Sequence, residues 1–244
     1  MFRISVFLII LMAVIFSITG LAQIESPPTT TPVLDVGDSV SARYETLAKA
    51  FGKNKEIPSQ YKKQIIYALS YFPELTNTSI RFEVRKSKDG IISTRPTVGS
   101  IFRRSSKRTY LVIIDDSTAG RTLPSFSDAD VNGQVGILGH ELCHIVYFNN
   151  CTGMGLIGLG VAHVSKGFMD RFEYNTDSVD IERGLGYQLR SWKQFIDKGF
   201  MAMRAVQKPS DQDKLDKRYM SVAQIEAVMA KSELYKSLRP LKSN

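Results

Sequence analysis

Five consecutive residues, His140-Glu141-Leu142-Cys143-His144, carry the strongest chemical signal in the chain. A helix turns once in about 3.6 residues, so residues i and i+4 lie on one face, one turn apart. Two imidazoles placed that way can bind one tetrahedral metal ion, and a glutamate beside the first points at the space near it. Such a glutamate can take a proton from a metal-bound water and later deliver it to a leaving amine. His140 and His144 are therefore the expected metal ligands, Glu141 the expected catalytic base and one zinc ion the expected cofactor. The whole chain has only three histidines, so composition alone does not account for two at this spacing around a glutamate.

The surrounding pattern says how the motif is carried. Val131, Val135, Leu138, Leu142 and Ile145 form an apolar stripe, and Ile137, Val146, Tyr147 and Phe148 make most of the remaining surface apolar. A helix apolar nearly all round is buried. Two histidines and a glutamate inside it need partners, because an unpaired buried charge is costly. A metal is one such partner; hydrogen bonds within an ordinary core are the other reading. Gly133, Gly136 and Gly139 each cost about 1 kcal/mol relative to alanine within a helix. Their repeat at every third position implies close approach by another backbone, with a strand as the expected neighbour.

A catalytic metal needs a third protein ligand. The extended pattern with Gly and His soon after the motif is absent, since Tyr147 and Asn150 occupy those places. Two candidates remain. Glu173 lies in Phe172-Glu173-Tyr174-Asn175-Thr176-Asp177, on an expected helix, with Asp177 one turn further along the same face and Asp180 continuing the acidic side. Glu173 can bind the metal while Asp177 accepts a hydrogen bond from the distal ring nitrogen of a ligand histidine, which fixes its tautomer. The plainer reading pairs these acids with Lys166 and Arg183 or leaves them in solvent. His163 follows an apolar glycine-rich stretch and reads better as a satisfied core or loop histidine.

His140-Glu141-x-x-His144, followed 29 residues later by Glu173-x-x-x-Asp177, resembles the gluzincin group of zinc metallopeptidases. The succession of a helix, a small sheet, the motif helix and a glutamate helix resembles a minimal zincin domain over about residues 57–200. The resemblance implies peptide-bond hydrolysis, with His140, His144 and Glu173 as ligands, Glu141 as base and a protein or peptide as substrate. It also implies an α+β fold: a small, mostly antiparallel sheet packed on the motif helix, then a glutamate helix and C-terminal helices. The usual Asn or Ala neighbours of the second motif differ here. No oxyanion-stabilising Tyr or His transfers; Tyr147 and Tyr187 are candidates of a type that more often packs.

The other elements follow from periodicity and punctuation. Ser39 to Phe51 suits a short helix, and Ser59 to Phe72 a firmer one stopped by Pro73. Ile80 to Arg85 alternates like a half-buried strand, and Lys88-Asp89-Gly90 is a turn signal. Further strands are expected at Ile91 to Thr94, near Val98 to Arg103, and at the continuous apolar run Tyr110 to Ile114, which reads as central. A polar loop covers 117–127. Ser127 to Asp130 reads as a capping box opening the motif helix. Helices are expected at Ser165 to Arg183 and Leu185 to Ile196. A charged linker spans Lys208 to Arg218, and a second capping box at Ser221 to Gln224 opens a terminal helix to about Leu238. No internal repeat is visible.

The N-terminus reads as a signal peptide over residues 1–22: Met1-Phe2-Arg3, an apolar run from Ile4 to Thr19, and small residues before Gln23. The run is shorter than the ~20 residues of a spanning helix, and an uncleaved anchor is the alternative. Either way the rest of the chain is expected outside the cytoplasm, secreted or periplasmic. The expected organisation is a lead-in over 23–56, the zincin-like domain over 57–200 and a helical extension over 201–244. The formal charge of +8 is scattered, so a nucleic-acid partner is not expected; its densest cluster, Arg103-Arg104-Ser105-Ser106-Lys107-Arg108, reads as a solvated turn between strands, with a contact surface for an anionic partner as the other reading. Cys143 and Cys151 would lie ~12 Å apart on a continuous helix, beyond disulfide reach. The motif precedes the apolar stretch Met154 to Val164, which is too short to span a bilayer, and this sets aside an intramembrane protease. A deformylase-type site would need an upstream cysteine ligand, and none exists. Two rivals remain: a non-catalytic zinc-binding or envelope-interaction module, and an enzyme with a peripheral membrane contact through Gly153 to Val164, a segment read more simply as a packed hairpin or lid.

Overall fold

The computed structural model of the protein describes Thr30 and residues 41–87, 90–117, 124–204 and 218–236. The signal over 1–22, most of the lead-in before residue 41, part of the Lys88-Asp89-Gly90 turn, most of the 117–127 loop and the linker from Lys208 lie outside the described residues. The end of the terminal helix at Leu238 does too.

The described chain is α+β and mostly helical. Helix α1 (Ser41–Phe51) buries Leu47 and Phe51. After β1 (Lys55–Glu56), a 3-10 turn leads into α2 (Lys62–Leu69), which buries Ile65, Ile66 and Leu69. This helix stops three residues before Phe72: the Ser70 hydroxyl turns back onto the Tyr67 carbonyl at 2.6 Å, a local bond that competes with helix continuation.

Strands β2 (Ser79–Val84), β3 (Ile92–Pro96) and β4 (Thr109–Ile114) join β1 in one sheet of order β1-β2-β4-β3. The apolar run is interior, as its composition demands. The sheet is mixed, however. β1 pairs parallel with β2 and β2 parallel with β4, while only β3 and β4 are antiparallel. This corrects the expectation of a mostly antiparallel sheet. Alternation identifies a strand and its buried face; it carries no information on direction. The expected strand near Val98 is instead a 3-10 turn, Val98–Ser100. β3 ends at Pro96, which has no N–H to give to a ladder, and the Ser100 hydroxyl closes the turn onto the Thr97 carbonyl at 2.9 Å.

The motif helix α3 runs Val131–Asn149. Its cap is Asp130, whose carboxylate accepts from the Gly133 amide at 2.6 Å. Ser125 and Asp128 form a capping box on the preceding 3-10 turn, and the cap expected at Ser127 lies three residues too early for α3. Gly153 to Ala162 forms a helix, α4, in place of a hairpin. Cys143 and Cys151 are both free thiols.

Helix α5 (Lys166–Asp180) is followed by a π-type turn, Ile181–Leu185, and by α6 (Gly186–Arg204). Gly184 sits at φ 103°, a left-handed conformation that glycine adopts without penalty, and it redirects the chain. The glycine row on α3 meets this returning segment. A Cβ on Gly136 would lie 2.3 Å from the Gln188 backbone, and one on Gly139 would lie 2.4 Å from Asp180 and Leu185. The close neighbour is thus a helix, α6, together with the end of α5, and not a strand. The Ser221–Gln224 capping box opens α7 (Val222–Lys231), and α8 (Glu233–Lys236) follows. Met220, Ile225, Met229 and Tyr235 pack on Ile181 and Leu189 as a second small core. No helix among the described residues is long and apolar enough to cross a membrane.

Candidate metal centre

Helix α3 places the His140 and His144 rings one turn apart, 4.8 Å between centroids, and both are buried. Helix α5 crosses them with its acidic face. One oxygen of Glu173, Oε2, lies 3.0 Å from His140 Nε2 and 3.3 Å from His144 Nε2. One turn on, Asp177 Oδ1 lies 2.8 Å from His140 Nδ1, and Asp177 Oδ2 accepts from the Met220 amide at 2.8 Å. Gly139 makes this approach possible, since any side chain there would strike Asp180 on the same face of α5.

These contacts fix the proton arrangement. Asp177 is an acceptor, so His140 Nδ1 carries the hydrogen, and the neutral ring then turns a lone pair on Nε2 toward Glu173. Two acceptors 3.0 Å apart need positive charge between them, either a proton or a cation. The acid–base balance agrees. Burial disfavours charge on His140, yet Asp177 and Glu173 raise its pKa well above 6.5. Burial likewise pushes Glu173 upward, but the two histidines bring it far below the ordinary 4.5. Ligand atoms of His140, Glu141 and His144 all lie within 4.8 Å of one another, a buried group that can hold a metal ion. Glu141 Oε2 is buried without a hydrogen-bond partner. A nitrogen-nitrogen-oxygen donor set with an unsatisfied carboxylate beside it suits a divalent metal.

The remaining candidates separate cleanly. His163 Nδ1 donates to the Leu159 carbonyl at 2.7 Å, and its ring packs on Phe172, so it is tied to its own helix. Lys166 pairs with Asp170 and Arg183 with Glu74; neither takes up Glu173 or Asp177. Tyr147 packs on Phe172 and Tyr187 on Tyr235. Neither tyrosine lines the cavity of about 230 Å³ that opens onto His140 and Glu141. That cavity is walled by Ile92 of β3, by Trp192 and Lys193 of α6, and by Tyr219.

Tyr219 and Met220 are the site residues that sequence reasoning missed. The Tyr219 ring stands 5.8 Å from His140. Burial, with Glu173, Glu141 and Asp177 nearby, pushes its hydroxyl well above the ordinary value of 10.0. No periodicity or motif marks it, because it is set beside the histidine by a tail folding back. Asp180 is fully buried with neither oxygen hydrogen-bonded, and burial raises its pKa well above 3.8.

Comparison of the chain with protein-family models, with curated proteins and with solved structures finds no match.

Proposed function

We propose that the chain is an exported zinc metallopeptidase with a zincin-like domain of gluzincin type, in which His140, His144 and Glu173 hold the metal. The observation that carries this reading is the convergence of two imidazole Nε2 atoms on one Glu173 oxygen, at 3.0 and 3.3 Å, beside the unpartnered Glu141 carboxylate oxygen. When bound, zinc supplies a Lewis acid that acidifies water and polarises a substrate carbonyl. The protein's own residues do the rest. Asp177 holds His140 in the tautomer that presents Nε2. Glu141 takes a proton from the attacking water and returns it to the leaving amine. Ile91 and Ile92, at the start of edge strand β3, line the same cavity. An extended peptide can therefore add to β3 through backbone hydrogen bonds, with its side chain in the apolar wall by Trp192.

The test is zinc content and peptide hydrolysis for wild type and Glu141→Gln. The variant should retain zinc and lose activity by about 10²–10⁴-fold. Zinc binding with no hydrolysis in the wild type would favour a non-catalytic zinc module; equal activity in both would end the scheme.

A further inference from the structure

Helix α4 is apolar in every residue, yet only Leu156 is buried. Met154 is 73% exposed, Val161 70% and Val164 89%. Beyond the helix the apolar surface continues. Gly153 sits against the Ile101–Phe102 backbone, where a Cβ would lie 2.9 Å from the Ile101 oxygen, and Phe102 is 79% exposed. Gly158 and Gly160 have no atoms within 4 Å of where a Cβ would stand, so that side of the helix borders open space. A helix apolar all round is normally buried, and a contiguous exposed apolar patch marks a surface that something covers.

Charge identifies the cover. Arg103 and Arg104 follow Phe102 directly and Lys107 lies five residues on; all three are exposed, and no ion pair among the described residues neutralises them. The residues around the patch, 101–107 and 151–165, contain no Asp or Glu. A second copy of the chain would bring like charges together across such a face, which is unfavourable. Anionic lipid satisfies both halves of the surface: basic residues near a negative leaflet contribute about 1 kcal/mol each, while bare apolar side chains enter the acyl boundary. At ten residues the helix is about 15 Å long, half the hydrocarbon thickness, so it can lie in the interface and cannot span it.

We infer that α4 and the Phe102 turn form a membrane-docking surface for an anionic phospholipid leaflet. The surface is independent of the chemistry at His140 and would serve a non-catalytic zinc module equally.

The test places an environment-sensitive nitrobenzoxadiazole label on Met154→Cys in a full chain carrying Cys151→Ser; the remaining Cys143 is buried. The label reports the helix itself, whatever residues 1–22 do. Vesicles of phosphatidylglycerol and phosphatidylcholine at 3:7 should shift its emission to the blue, and added salt should weaken the response. Arg103→Glu with Arg104→Glu should raise the lipid concentration for half response at least tenfold. No shift with anionic vesicles overturns the proposal. So does an equal shift with pure phosphatidylcholine, and so does a shift without vesicles that grows with protein concentration, which would assign the face to a second copy.

Discussion

Asp177→Asn is the most informative substitution, because it removes one charge and one acceptor from a residue that serves two donors. In the wild type one carboxylate oxygen takes the His140 Nδ1–H and the other takes the Met220 N–H, each at 2.8 Å. Asparagine offers one oxygen. If that oxygen faces His140, its amide N–H groups confront the Met220 N–H, and an unsatisfied buried donor costs about 1–3 kcal/mol. If it faces Met220, the amide donates to Nδ1, the ring hydrogen moves to Nε2, and His140 can no longer ligate. Either arrangement lowers metal affinity. Loss of a carboxylate behind a ligand histidine is worth about 10–100-fold in affinity, which is about 1.4–2.8 kcal/mol. A competition titration against a chromophoric zinc chelator at neutral pH measures it. Because Asp177 acts through His140, peptide hydrolysis should recover to within a few-fold at saturating zinc. Unchanged zinc affinity in a folded Asp177→Asn protein would refute both the tautomer assignment and the role of His140 as a ligand.

Gly136→Ala should lower stability by about 1–3 kcal/mol or more, since its Cβ would meet the Gln188 backbone at 2.3 Å and no flexible side chain can yield there. Thermal melting of the metal-free protein should then fall by roughly 3–10 °C. Asp180→Asn should stabilise the chelator-treated protein at neutral pH. A carboxyl whose folded pKa lies above its unfolded value of 3.8 leaves the fold unpenalised below about pH 4 and costs stability as pH rises through the raised value. The gain should therefore vanish near pH 4 and grow with pH; a constant gain would show that the two side chains differ in packing alone. Removing metal with a chelator should lower the melting temperature, and zinc at 100 times its Kd should restore about 2.7 kcal/mol. Glu173→Gln should weaken that restoration strongly, whereas an equal response in both would remove Glu173 from the ligand set.

The parts of the site that share a helix were legible in the sequence. His140, Glu141 and His144 lie within five residues, so helical spacing alone places them, and Glu173 with Asp177 repeats the same one-turn logic on α5. The glycine row announced a close approach, but its partner is α6, reached only after Gly184 turns the chain. The strands near Ile80, Ile91 and Tyr110 were readable, the short β1 and the turn at Val98–Ser100 were not, and strand directions were not, because the period of Ser79–Val84 is the same in either orientation. Tyr219 and Met220 carry no local signature. Their position depends on Ile225, Met229 and Tyr235 docking onto Ile181 and Leu189, a packing event between segments far apart in the chain.

Burial of so many acids around two histidines constrains the chemistry further. Glu141, Glu173, Asp177 and Asp180 are all buried, while Arg183 is engaged by Glu74 and Arg218, which lines the same cavity, by Asp170. Burying several unpaired charges would cost more than the fold can spare. Burial disfavours charge on Asp180 by raising its pKa, and the other three carboxyl groups face two imidazoles. A protonated His140 offsets one of them; a divalent cation offsets two, and frees Nε2 to ligate. The remaining negative charge then belongs to Glu141, the group proposed to accept a proton. Metal binding and folding are coupled in such an arrangement. A substitution that removes the metal without removing an acid, such as His144→Ala, should therefore destabilise the protein more at neutral pH than at pH 4, and equal destabilisation at both would show that the acids are offset by groups other than the ion.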